Sequence, residues 1–158
     1  MTILGQSLRL AIVVLTGLIA CAVPGESSAH TLKQERNCLA LSIYWEARGE
    51  SRIGMIAVGW TVLNRVQNEQ FPSTPCSVVH QGGEQAPCQF SWWCDGRSDR
   101  PRDRDSWRTA LLIAARLLVD PPSDPTGGAL FYHSTTVKVP WRRKRVRTAR
   151  IGAHVFYR

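Results

Sequence analysis

The chain has 158 residues, with 20 Lys and Arg against 12 Asp and Glu and a formal net charge of +8. That length suits one domain and excludes two independent cores; 44% hydrophobic and 20% charged residues exclude wholesale disorder. Six Trp are many for this size and mark either a ligand platform or the filling of a small core.

Residues 10–23, LAIVVLTGLIACAV, carry no charge and follow Arg9. The run is short for a membrane span and has the length of a signal-peptide apolar region. Ser27 and Ala29 then supply the small residues of a cleavage site, so residues 1–29 read as a signal peptide and 30–158 as the mature domain. A second reading takes Leu18-Ile19-Ala20-Cys21 as a lipobox, with a lipid anchor on Cys21. Either way the chain is exported, to the periplasm or beyond. In that oxidising compartment Cys38, Cys76, Cys88 and Cys94 predict two disulfides, with three connectivities open. Cys88 and Cys94 are spaced to close a short loop, which leaves Cys38 with Cys76. A zinc site using Cys76 and His80 is the rival, but its spacing matches no common ligand pattern.

The next elements follow from periodicity. Residues 35–50 predict a helix, and 54–67 a second one with Ile56, Trp60 and Leu63 in register. Gly54 and Gly59 are costly inside a helix and imply close packing against a neighbour. Residues 71–75 end that unit, and 76–105 read as a long surface loop in need of a staple. Asp105 offers the N-cap of a third helix, 106–119, with Trp107, Leu111, Ala114 and Leu118 as its apolar stripe, stopped by Asp120-Pro121-Pro122. After the turn at Asp124-Pro125-Thr126-Gly127-Gly128, residues 129–133 and 153–157 read as short strands. Helices first and strands afterwards predict a single α+β domain.

The most informative segment is Tyr44-Trp45-Glu46-Ala47-Arg48-Gly49-Glu50. At about 100° per residue, Glu46 and Glu50 share a helical face with Leu39 and Ile43. An acid set among apolar residues has a raised pKa, the condition for a general acid at a glycosidic bond. The plainer alternative is two solvated acids at a helix end, paired with Arg48 and Arg52. No GxSxG elbow, P-loop or HExxH pair competes as a catalytic centre.

Ile43 to Glu50, then Gly54, Ala57-Val58 and Val62-Leu63-Asn64-Arg65-Val66, resemble the spore-cortex-lytic, SleB-type family of cell wall hydrolases. The likeness continues through Phe71-Pro72, Val78-Val79, Gln89-Phe90-Ser91, Asp124 to Ala129, and Ile151 to Arg158. It implies a lysozyme-like domain related to goose-type lysozymes and lytic transglycosylases, cutting between N-acetylmuramic acid and N-acetylglucosamine. Its catalytic acid, the first glutamate of EARGE, maps onto Glu46; a lytic transglycosylase needs no second carboxylate nucleophile. Glu50 is then expected to orient the site or bind substrate, through Arg48, Arg52 or a substrate group. The chain departs from the spore enzymes in its Cys88–Cys94 insert and its basic stretch, which puts a cortex-specific substrate in question.

Gln89 and Ser91 are expected to line the glycan groove, where amides and hydroxyls bind N-acetyl groups, while Phe90 packs inward. Tyr132 is expected at the cleft ahead of His133 or His154. Asn64 and Arg65 read as architectural. The basic stretch from Trp141 to Arg147 suggests nucleic acid in a cytosolic chain; on an exported one it suits an anionic wall polymer, through a salt-sensitive attraction. The reading is thus an exported, monomeric enzyme acting on peptidoglycan strands, without cofactor, metal, membrane span or nucleic-acid partner. Its alternatives are a hydrolytic muramidase, an N-acetylmuramoyl-L-alanine amidase, and a non-catalytic wall-binding protein.

Overall fold

The computed structural model describes residues 26–158 apart from residue 86. The apolar run at 10–23 and Cys21 lie outside the described residues. Four α-helices come first: α1 (Glu26–Ala47), α2 (Arg52–Val66), α3 (Pro75–Val79) and α4 (Arg104–Val119), with a 3₁₀ turn η1 (Ser91–Cys94) between the last two. The strands β1 (Phe131–Ser134), β2 (Arg147–Ile151) and β3 (His154–Tyr157) follow, with a second 3₁₀ turn, η2 (Pro140–Lys144), before β2. The α+β class and the order of helices then strands are as the sequence implies.

Helix α1 is the axis of the core. Leu39, Ile43 and Tyr44 are fully buried against Val58 and Val62 of α2, Val78 of α3, and Ile113 and Leu117 of α4. Gly59 is where α2 comes closest: a Cβ there would run into the side chains of Leu117 and Ile43. The close approach expected from a glycine inside a helix is therefore real. Two disulfides staple this unit, Cys38–Cys76 between α1 and α3, and Cys88–Cys94 around η1. With Cys76 so engaged, it is not available to a zinc site with His80.

The predicted boundaries need correction, most of all at the start of α1, which begins at Glu26 and not at residue 35. Helix α1 stops at Ala47, and Glu50 lies beyond it in a turn whose amide donates back to the Ala47 carbonyl at 2.9 Å. Helix α4 begins two residues earlier than expected, because Asp103, not Asp105, accepts the capping hydrogen bond from the Ser106 amide at 2.6 Å. Its buried face is Ala110, Ile113, Ala114 and Leu117; of the predicted stripe Ala114 lies on that face, while Trp107, Leu111 and Leu118 pack partly buried against the core. The 76–105 loop also contains a helix, α3, with Pro75 in its first turn and the Thr74 side chain capping the Ser77 amide.

The three strands form an antiparallel sheet in the order β1-β3-β2. Tyr132 lies opposite Phe156, and Ser134 opposite His154. The sheet is seated on α2 through Phe156 and Ala129, both fully buried against Ala57. Its entry is fixed by α2 as well. The Asn64 amide donates to Asp124 Oδ2 at 3.0 Å and to the Ala129 carbonyl at 3.1 Å, and Arg65 Nε donates to the Leu130 carbonyl at 2.8 Å. Two adjacent side chains on one helix thus aim β1, and with it Tyr132, at the end of α1.

Candidate active site

The last turn of α1, the start of η1 and the sheet enclose a cleft of about 590 Å³. Glu46 lies on one wall with Trp45; Ser91 and Trp92 form another, and Tyr132, His133 and His154 come from the strands. A second, smaller cavity of about 230 Å³ also borders Glu46 and is lined by Gln89, Arg65 and Phe90. All five residues singled out from the sequence border these two cavities: Glu46, Ser91 and Tyr132 border both, Glu50 the larger and Gln89 the smaller.

Burial pushes the Glu46 carboxyl above the ordinary glutamate range; the hydroxyl of Tyr132, the indole N–H of Trp92 and the charge of Arg65 pull it part of the way back. Both donors are otherwise uncommitted. The Tyr132 hydroxyl and Trp92 Nε1 are buried and have no hydrogen-bond partner apart from Glu46. Burial and the neighbouring Glu46 raise the Tyr132 phenol well above its usual value, so it stays protonated as a donor. The site therefore holds a carboxyl reluctant to ionise, and two groups ready to stabilise it once it has.

Arg65 is the cation behind this arrangement. It is 2% exposed and lies near the rings of Phe71, Phe90 and Phe131 at 5.4–5.8 Å. The Gln89 amide oxygen, in the orientation that satisfies both groups, accepts from the two terminal guanidinium nitrogens at 3.2 Å each. Gln89 is thus tied to Arg65 on the cavity wall. The sequence reading placed Arg65 as architectural, which its bond to Leu130 bears out, but missed its charge beside Glu46. The indole N–H of Trp92 beside Glu46 was missed too, although adjacency to Ser91 on a disulfide-tied loop points to Trp92 as an aromatic face of the groove.

Glu50 does something different from Glu46. It forms no ion pair with Arg48 or Arg52 among the described residues; its carboxylate accepts from the Ala153 amide at 3.2 Å, in the turn between β2 and β3. His154 Nδ1 is 3.9 Å from its other oxygen. Burial lowers the His154 pKa despite the pull of Glu50, so near neutrality the ring is uncharged and the contact is not an ion pair. His133 is equally occupied, bonding the Tyr157 hydroxyl at 3.0 Å and the Ser134 carbonyl at 2.8 Å. Glu50 is a clamp on the sheet's turn.

Gly152 makes that clamp sterically feasible. Its φ is +56°, and a Cβ there would collide with the Glu50 carboxylate. A Gly152→Ala variant is expected to lose about 1–2 kcal/mol of stability and to displace the turn from Glu50. Thermal melts alongside activity check this; an unchanged melt and unchanged activity refute the clamp.

No group of three or more His, Cys, Asp or Glu among the described residues is placed to hold a metal. No helix among them is long and apolar enough to cross a membrane.

Comparison with known proteins supports the fold. The family described as Cell Wall Hydrolase matches residues 49–157, a stretch beginning just after Glu46. The spore cortex-lytic enzyme of Halalkalibacterium halodurans is 33% identical over 119 residues, covering 75% of this chain and 33% of that enzyme. That of Bacillus subtilis is 30% identical over 139 residues, covering 87% of this chain and 41% of that enzyme. The chain therefore spans a third to two fifths of the length of these relatives. Among solved structures, the catalytic domain of the germination-specific lytic transglycosylase SleB from Bacillus anthracis superposes with a TM-score of 0.63 at 29% identity, covering 87% of this chain and all of that one. The SleB catalytic domain of Bacillus cereus gives 0.61 at 28% identity, covering 80% of this chain and 91% of that one.

Proposed function

The chain belongs to the cell wall hydrolase family, and from that premise we propose that it is a lytic transglycosylase cutting peptidoglycan strands between N-acetylmuramic acid and N-acetylglucosamine, with Glu46 as general acid and base. The observation that carries this is the Glu46 carboxyl itself, desolvated in a cleft and facing two uncommitted donors. Protonated, it delivers its proton to the glycosidic oxygen as the C1–O bond breaks. The resulting carboxylate, stabilised by Tyr132 and Trp92, then removes the proton of the muramoyl 6-hydroxyl as that oxygen bonds to C1 and closes the anhydro ring.

The engagement of Glu50 supports the lytic reading over a two-carboxylate hydrolysis. A carboxylate committed to the Ala153 amide is poorly suited to act as nucleophile or to activate water. The solved lytic transglycosylase domain, which this chain covers completely, adds to that support. A cell wall enzyme with two disulfides works outside the cytoplasm; residues 1–29 as a signal peptide, and the periplasm as destination, complete the proposal.

The test is a digest of purified sacculi with residues 30–158, resolved by mass spectrometry. Anhydro-muramoyl ends are expected. Reducing ends instead would move the reaction to hydrolysis, and free stem peptides would move it to an amidase. The same digest run across pH should show an alkaline limb set by Glu46. Its folded pKa is raised, so the active protonated form persists above the ordinary 4.5 of a glutamate and is lost as pH rises through the shifted value. A Tyr132→Phe variant, which removes a donor to the carboxylate, is expected to move that limb further upward; a limb that stays in place would detach it from Glu46.

A further inference from the structure

Beside the catalytic cleft lies a cavity of about 340 Å³ that shares Trp45, Arg48 and Trp92 with it. Its remaining walls come from the segment between the Cys88–Cys94 disulfide and α4. Three arginines, Arg48, Arg97 and Arg102, and two aspartates, Asp95 and Asp99, are among the residues that line this single space, and all but Asp99 are exposed. Among the described residues none of the five is ion-paired with another; the ion pair found there is Arg116 with Asp120. Exposed charges of both signs gathered around one cavity are free to meet charges supplied from outside.

The cavity is also held in shape. Trp45 Nε1 donates to the Asp99 carbonyl at 3.2 Å, and the Tyr44 hydroxyl accepts from the Arg102 and Asp103 amides at 3.1 Å each. Arg48 lies over the Tyr44 and Trp45 rings at 5.1 Å and donates to the Tyr44 hydroxyl at 3.2 Å. The Arg97 amide closes a turn on the Asp95 carboxylate at 2.8 Å. The segment is thus bolted to α1 one and two residues before Glu46, so what binds in the cavity is registered against the bond being cut.

We infer that this cavity is a subsite for the peptide stem of peptidoglycan, Arg97 and Arg102 taking its carboxylates and Asp95 and Asp99 its free ammonium group. The inference rests on the proposed glycan-cleaving role of the adjoining cleft. The chemistry matches at each point: the stem is attached to the muramoyl sugar, it carries several carboxylates, and where uncrosslinked it carries an ammonium. A ligand of both signs answers a cavity of both signs.

The test compares two substrates: sacculi with intact, uncrosslinked stems, and the same sacculi stripped of stems by an amidase. The protein is expected to cleave the intact strands roughly tenfold more efficiently, the worth of one or two charge-assisted hydrogen bonds. Replacing Arg97 and Arg102 together by Gln should bring that ratio close to one, mainly through KM. The Tyr44 contact survives this change, because it uses the Arg102 backbone. Replacing Arg142 and Arg143 on η2 removes the same charge elsewhere and should leave the ratio intact. In a second arm, the free stem tripeptide containing diaminopimelate is titrated into the Glu46→Gln protein, following the indole NMR signals of Trp45 and Trp92. Saturable shifts that vanish with the Arg97/Arg102 pair support the subsite. A ratio of one for the native protein, or no shift at millimolar peptide, overturns it. If neither substrate is cut, the glycan-cleaving role has failed, and the titration alone decides the subsite.

Discussion

A Glu46→Gln variant is expected to keep its fold and to lose glycan cleavage by roughly two to four orders of magnitude, the range a positioned general acid contributes. The amide preserves the size of the side chain and can still meet Tyr132 or Trp92, but it has no proton to give and none to take. Stability should move the other way. Because the folded pKa of Glu46 lies above 4.5, the folded state holds its proton more tightly than the unfolded chain does. Ionising it as pH rises through that window therefore costs stability. At neutral pH the Gln variant should melt at or above the native protein, with the difference shrinking as pH falls below the unfolded value. A variant that loses activity by melting early would point to a structural role for Glu46; one that keeps activity would remove it from the chemistry.

Removing the Cys38–Cys76 bridge is expected to have the largest effect on stability. It links positions 38 residues apart, and closing a loop of that length restricts the unfolded chain by about 4 kcal/mol, against about 2.5 kcal/mol for the short loop closed by Cys88–Cys94. The bridge also brings α3 to α1 where the Cys76 amide donates to the Glu35 carboxylate at 2.7 Å. A Cys38→Ser, Cys76→Ser double variant should melt roughly 10–20 °C lower. The corresponding change at Cys88 and Cys94 should cost less stability but more activity, since η1 carries Ser91 and Trp92 to the cleft. Equal loss of stability from both would contradict the loop-length argument.

The long helices were legible because their signals are local: a 3.6-residue period and a glycine demanding close packing act within a few residues. Helix α3, five residues long, is too short to show a period, and its Thr74 cap was read as part of a loop. Where two caps compete, as Asp103 and Asp105 do, the winner depends on which aspartate reaches an amide, and spacing alone does not tell them apart. Strand β2 was hidden for another reason. It reads Arg-Thr-Ala-Arg-Ile, with no apolar alternation, because it is an edge strand exposing both arginines and owing its order to pairing with β3. At the site, Glu46 stood out because an acid fell on an apolar face. Glu50 was drawn onto that face by extending the helix three residues too far; its true partner, the Ala153 amide, is 103 residues away. Arg65 looked like a helix residue and is one. That its charge reaches Glu46 follows only from how α2 crosses α1.

That single guanidinium has a consequence for how the domain can change. Arg65 grips the entry to the sheet through Leu130 and the insert through Gln89, and it lends its charge to the acid. Everything within its reach is interdependent, and a substitution there disturbs three segments at once. The segment from Asp95 to Arg102 is outside that reach and is fastened to α1 mainly by its own backbone. Its side chains are free to vary while the reaction machinery stays put. Selection, or an engineer, can therefore re-aim this enzyme at a different wall chemistry by rewriting one short loop.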